Sequence, residues 1–148
     1  MPLDSFRLFQ LARQGFCCSQ ILLLIGLEEQ GKDSPELIRA MHGLCGGIGR
    51  YGDTCGVLTG GACLIGLVAG KGTAEEQPHP KVNKMVQELI AWFEETQGSL
   101  LCMDIIHYKL EDGMEYPVKC GSLISDTYDK VQEILADNME PEDEYEYA

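Results

Sequence analysis

The stretch from Leu44 to Gly70, LCGGIGRYGDTCGVLTGGACLIGLVAG, restricts this chain more than any other. It holds nine of the seventeen glycines and three of the seven cysteines, and it carries no formal charge after Asp53. Glycine at this density costs backbone entropy and gives up side-chain packing. It is retained where the backbone takes positive φ, where two elements approach closely, or where main-chain N–H groups point at an anion. With Cys45, Cys55 and Cys63 beside it, the natural anion is a thiolate or the sulfur of a metal cluster.

The uncharged run from Thr54 to Gly70 is 17 residues long and five of them are glycine. That falls short of the roughly 20 apolar residues needed to cross a bilayer. A buried core helix is expected instead, from Thr54 or Cys55 to Val68 or Ala69. Gly56 with Gly60, and Gly66 with Gly70, are spaced to give it small faces against which neighbouring helices pack closely.

The flanking sequence reads as further helices. Asp4 or Ser5 caps a first one with apolar positions Phe6, Phe9, Leu11 and Ala12, ending near Gln14. Cys17 to Gln30 is apolar nearly all round, as a deeply buried helix would be. Adjacent helical residues point about 100° apart, so Cys17 and Cys18 cannot both face one site, and one of them is expected to be core filler. Ser34-Pro35-Glu36 combines an N-cap serine, a proline at the first helical position and an acid in the first turn, opening a helix to His42. After the polar connector TAEEQPHP, an amphipathic helix from Lys81 to Thr96 presents Val82, Met85, Val86, Leu89, Ile90 and Phe93, with Gly98 as its stop. Ser99 caps a short helix with Cys102 at its third position. Pro117 opens a last helix with Cys120, Leu123, Ile124, Thr127, Val131, Ile134 and Leu135 on one side. The expected fold is all-α, a single-domain bundle of five to seven helices over residues 1–136 with the Gly-rich loop between helices. Residues 137–148 contain six acids and no base and read as a disordered acidic tail.

The net charge of −13 and pI near 4.5 argue against nucleic acid and anionic membrane surfaces as partners, because both repel an acidic protein. The N-terminus MPLDSFRLFQ lacks the basic and apolar regions of a secretory signal, so a cytoplasmic protein without membrane insertion is expected. In that compartment, seven cysteines in a chain long enough to fold unaided point to metal ligation or redox chemistry rather than structural disulfides.

The helices opening near Cys18, Cys55 and Cys120 each carry a cysteine in the first turn, and the short helix at Cys102 adds a fourth. A helix N-terminus favours a thiolate and directs spare N–H groups at its sulfur, which suits either a reactive or a metal-bound thiolate. Cys18 in CSQ with its apolar run, the GGIGR turn from Gly46 to Arg50, CGVLTG from Cys55 to Gly60, and then Cys102 and Cys120 follow one another from Phe16 to about Leu135. In this order and spacing the chain resembles a family of redox-active proteins named for the cysteine pattern C_GCAxxG_C_C. It departs at Val57, where alanine is usual, and at Cys45, where glycine is usual; the second change adds a thiol close to the proposed site. The resemblance implies a small, mostly helical redox protein whose functional cysteines are Cys18, Cys55, Cys102 and Cys120.

Three kinds of chemistry suit these thiols. An iron–sulfur cluster uses all four as ligands, with Gly46, Gly47, Gly49 and Gly56 supplying N–H groups and close approach, and this reading is preferred. Dithiol and disulfide cycling needs no metal. A structural zinc site has no turnover. The preferred reading implies a redox partner protein, and assembly as a homo-oligomer is compatible with it.

GGIGRYG does not follow a strand and lacks the Lys-Ser/Thr ending of a phosphate-binding loop, so nucleotide binding is not expected. With no Ser/His/Asp grouping and no paired carboxylates, no catalytic residue is assigned. His42 reads as a helix-end histidine and His79 as solvated. His107 follows the Cys102 helix and is a weaker candidate for the site. Arg50 either balances thiolate charge or, with Tyr51, sits at a solvated loop tip.

Overall fold

The computed structural model describes residues 4–140. Among them are seven α-helices: α1 (Ser5–Arg13), α2 (Cys18–Glu29), α3 (Pro35–Met41), α4 (Gly56–Ala69), α5 (Val82–Gln97), α6 (Cys102–Ile106) and α7 (Val118–Asn138). A 3-10 turn, His42–Leu44, follows α3, and an isolated antiparallel bridge joins Thr54 to Leu101. The described residues contain no strand, and no described helix is long and apolar enough to cross a membrane.

The helix boundaries follow local chemistry. The Asp4 carboxylate accepts from the Phe6 N–H at 3.0 Å and starts α1. The Ser34 hydroxyl accepts from the Leu37 N–H at 3.4 Å, with Pro35 in the first position of α3. Gly98, at φ 79°, ends α5 in the left-handed region open to glycine.

Because α2 is apolar on every side, it lies at the centre. It packs against α4 on one face, and α5 and α7 close the far side of α4. Leu22, Val57, Ile65, Met85, Leu89, Phe93 and Val131 are buried completely in this interface, each contributing about 1.5–3 kcal/mol of hydrophobic stabilisation. On the other face of α2, Leu23 and Leu27 meet Ile38 of α3 and Met41. The Tyr128 hydroxyl of α7 donates to the Glu29 carboxylate, which ties the last helix to the end of α2.

The glycines of α4 are used unevenly. A Cβ at Gly60 would lie 2.9 Å from the Ser19 Cα and 3.2 Å from the Ser19 carbonyl oxygen, so this is where α2 and α4 touch backbone to backbone. A Cβ at Gly61 would stand 3.0 Å from Leu89 and 3.1 Å from Thr127, so Gly61 admits α5 and α7. Gly66 meets nothing within 4 Å, and the close packing expected of it does not occur.

Other expectations are corrected. Leu8 and Leu11 form the inward face of α1, which turns Phe6 and Phe9 outward, 66% and 58% exposed; the Arg13 guanidinium lies over the Phe9 ring. The Ser99 hydroxyl accepts from the Leu101 N–H at 3.1 Å and donates to Asp104, so α6 starts at Cys102 itself and Cys102 takes the first helical position. His79 is buried rather than solvated: its ring Nδ1 accepts from the Lys81 N–H at 3.1 Å and its backbone N–H donates to the Ala69 carbonyl at 2.8 Å, fixing the entry to α5. Helix α7 runs to Asn138, two residues into the segment read as the tail. Met139 and Glu140 follow the helix, and residues 141–148 lie outside the described residues.

Candidate functional site

The site begins with the glycine turn. Its backbone folds on itself, with the Gly49 N–H donating to Gly43, Arg50 to Cys45, Gly52 to Gly46 and Asp53 to Gly47, at 2.8–3.2 Å. Gly46 and Gly47 take φ of 65° and 79°. At Gly47 a Cβ would fall 2.6 Å from the Asp53 nitrogen and 2.8 Å from the Cys102 Cβ, so only glycine lets the turn close against α6.

The Thr54–Leu101 bridge fastens the starts of α4 and α6 together. The Cys55 N–H donates to Leu100 at 2.8 Å and the Cys102 N–H to Asp53 at 2.7 Å. This brings Cys55, the N-cap of α4, to the same place as Cys102. Cys18 enters at the first position of α2 and Cys120 in the first turn of α7. All four line one apolar cavity together with Gly46, Gly56, Leu110, Tyr116 and Lys119. The cavity encloses about 10 Å³, space for about one water molecule.

Burial dominates the electrostatics. It pushes the Cys18 thiol up to about 12, with the neighbouring Cys55 and Cys120 adding to the effect. Cys120 rises to about 12 by burial and then by Cys55 and Cys102. Cys102 rises to about 11 by burial and then by Cys55, and burial raises Cys55 as well. The N–H groups of Gly46 and Ser19 face the Cys18 sulfur, those of Val57 and Leu58 face the Cys55 sulfur, and Lys119 lies near Cys120; each opposes the rise. The thiolates expected at helix N-termini are therefore thiols here at neutral pH, because desolvation outweighs the helix-end field.

A family model described as "Putative redox-active protein (C_GCAxxG_C_C)" matches residues 16–134. The chain belongs to this family. No curated protein and no solved structure matches it.

In this C_GCAxxG_C_C protein the remaining cysteines are disposed differently. Cys17 and Cys45 are joined as a disulfide with Cα atoms 5.9 Å apart, and Cys63 packs, half-buried, beside the α2–α3 cluster. The disulfide corrects the expectation of core filler at Cys17. Cys17 leaves α2 in an extended N-cap conformation rather than a helical one, and that geometry carries its sulfur to Cys45.

The glycine assignments divide. Gly46 and Gly56 line the cavity, Gly47 backs Cys102, and Gly49 is exposed on the turn with nothing within 4 Å of its Cβ position. His42 and His107 are exposed and do not line the cavity.

The residues sequence reasoning missed form the cover. The segment between α6 and α7 adds Leu110 and Tyr116 to the lining of the cavity that holds the four thiols. Arg50 holds it there: its Nη1 donates to the Glu111 carbonyl at 2.8 Å and the Met114 carbonyl at 3.1 Å, and its guanidinium lies 4.9 Å from the Tyr116 ring centroid. Arg50 is thus neither a solvated tip nor a direct partner of a thiolate. The Lys119 Nζ donates to the Ile105 carbonyl at 3.0 Å, which sets its charge at the cavity wall. The one sequence signal for Lys119 was its position next to Cys120.

Proposed function

We propose that this redox-family protein transfers electrons through an iron–sulfur cluster held by Cys18, Cys55, Cys102 and Cys120, exchanging them with a redox partner protein. The carrying observation is that these four thiols, from the starts of four separate helices, line a single apolar cavity with backbone N–H groups facing two of the sulfurs. A cluster bound there supplies one-electron transfer.

The chain's own residues supply the rest. The four thiols release their protons on ligation, since metal charge reverses the preference that burial imposes. The N–H groups of Gly46, Ser19, Val57 and Leu58 then stabilise the charged sulfurs, and Lys119 offsets part of the negative charge. Leu110 and Tyr116 exclude water. The donor set suits a cluster, but the enclosed space does not until the cover lifts, so loading has to displace the Arg50-held segment.

The same four thiols are poorly suited to nucleophilic dithiol chemistry, which needs a thiolate near neutral pH. A single zinc ion requires its sulfurs at about 2.3 Å from one point. Among the described residues no three His, Cys, Asp or Glu side chains are grouped closely enough to hold one ion, so zinc and a cluster alike would require the thiols to shift on loading.

Anaerobic reconstitution of the full chain with ferrous iron and sulfide tests the proposal. Expected are stoichiometric iron and acid-labile sulfide and a visible absorption bleached by dithionite. Serine at any of the four positions abolishes the bound iron, whereas Cys63→Ser retains it. Colourless protein without iron, or stoichiometric redox-silent zinc, overturns the proposal.

A further inference from the structure

The Cys17–Cys45 disulfide lies outside the four-thiol set, yet each half-cystine directly precedes a part of the cavity wall. Cys17 precedes Cys18, and Cys45 precedes Gly46, whose N–H faces the Cys18 sulfur. The glycine turn is held internally by its own backbone hydrogen bonds, and its far end is tied to α6 by the Met103 N–H donating to Gly52 and the Cys102 N–H to Asp53. Its covalent tie to the start of α2 is this disulfide. The other links from the start of α2 are non-covalent: the Ser19 hydroxyl donates to the Met41 carbonyl at 3.0 Å and lies 3.8 Å from the Cys45 sulfur, the Gln20 amide donates to the Ile38 carbonyl at 3.1 Å, and the Gly46 N–H faces the Cys18 sulfur. Both half-cystines are only 4% exposed, so opening the bond frees buried groups beside the cavity rather than a surface loop.

We propose that the Cys17–Cys45 disulfide is a second redox centre, a clamp whose two-electron reduction releases the glycine turn from α2 and opens the cavity at Cys18. The reductant is a small dithiol able to enter a buried site. One of its thiolates attacks a disulfide sulfur and breaks the S–S bond, leaving a mixed disulfide and one cysteine thiolate that takes a proton. Its second sulfur then displaces the other cysteine, which is also protonated. Two electrons and two protons reach Cys17 and Cys45, and the reductant leaves as its own disulfide. The clamp operates on the metal-free chain and does not depend on what the four thiols bind.

The test uses the metal-free full-length protein in two states, oxidised with diamide or reduced with dithiothreitol that is then removed, with circular dichroism verifying that both are folded. Alkylation by N-ethylmaleimide is mapped to individual cysteines by fragmentation mass spectrometry, and amide exchange is followed over Gly46–Asp53. Reduction is expected to speed Cys18 alkylation by roughly tenfold or more and to accelerate exchange across the turn. Cys45→Ala and Cys17→Ser should show the fast rates without reductant and no response to it. Equal Cys18 alkylation and equal turn exchange in the two wild-type states overturn the clamp, as does an intact mass showing that diamide forms no bond between Cys17 and Cys45. Absence of iron in the reconstitution experiment leaves this result unaffected, so the two proposals fail separately.

Discussion

Gly60→Ala and Gly66→Ala are the same chemical change on one helix in opposite environments. At Gly60 the new methyl carbon would sit 2.9 Å from the Ser19 Cα and 3.2 Å from the Ser19 carbonyl oxygen, both backbone atoms that no rotamer change can move. Carbon atoms settle at about 3.5–4.0 Å, so α2 and α4 must separate by about 0.6–1 Å. Overpacking of this kind costs about 1–3 kcal/mol. Replacing a helical glycine with alanine returns about 0.5–1 kcal/mol, leaving Gly60→Ala destabilised by up to about 2.5 kcal/mol. At Gly66 nothing lies within 4 Å of the added carbon, and the substitution keeps only the gain, about 0.5–1 kcal/mol. Urea denaturation of both variants and the parent, with unchanged m-values, measures the difference, expected at about 1–3 kcal/mol. Stabilities equal within error, or a stabilised Gly60→Ala, would refute the idea that α4 is glycine-rich because α2 rests on its backbone.

Gly56→Ala would bring a methyl to 2.6 Å from the Cys18 sulfur and 3.0 Å from the Leu44 carbonyl oxygen, so the variant should fold but lose reconstituted iron, read by metal analysis beside circular dichroism. In the metal-free, reduced protein, Cys18, Cys102 and Cys120 hold protons more tightly when folded than the ordinary thiol value of 9.0 allows. Their contribution to stability is therefore complete below about pH 9 and is lost as pH rises toward 11–12, visible as a falling urea midpoint that flattens when the three are replaced by alanine. Arg50→Ala removes two hydrogen bonds to the cover and should cost about 1 kcal/mol while speeding alkylation of Cys120. The Thr127 hydroxyl is buried without a partner, so Thr127→Val should be neutral or stabilising by up to about 1 kcal/mol in thermal denaturation.

Local signals carried the helices, because each is fixed by a few neighbouring residues. Asp4, Ser34-Pro35 and Gly98 act through their own caps, and the face of α7 from Leu123 to Leu135 is buried as its spacing predicts. Errors arose where a tertiary partner decides. The orientation of α1 depends on which of its apolar residues meets the core, and the choice fell to Leu8 and Leu11 rather than the larger Phe6 and Phe9. His79 looked solvated beside two prolines, yet the Ala69 carbonyl at the end of α4 needs a donor and the His79 N–H supplies it.

For the site, a cysteine at the start of each of four helices was readable from the sequence, but their meeting was not. It depends on a two-residue bridge, Thr54 with Leu101, that has no periodicity to announce it, and on a turn that closes only because Gly47 lacks a Cβ. Charge was misjudged for a related reason. A helix N-terminus stabilises a thiolate by a modest amount when water is present, whereas four neighbouring thiols lining one apolar cavity lose much of that water and repel one another when ionised. The balance makes the cavity a poor home for free thiolates, and under the proposed function the metal would have to neutralise them. It follows that iron uptake by the reduced chain should release protons, about one per ligating thiol, and that titration of the unbuffered protein with ferrous iron and sulfide under argon measures them once the protons released by the incorporated hydrosulfide are subtracted. Uptake with no protons traceable to the cysteines would mean that the four were ionised beforehand, and the account of their burial would be wrong.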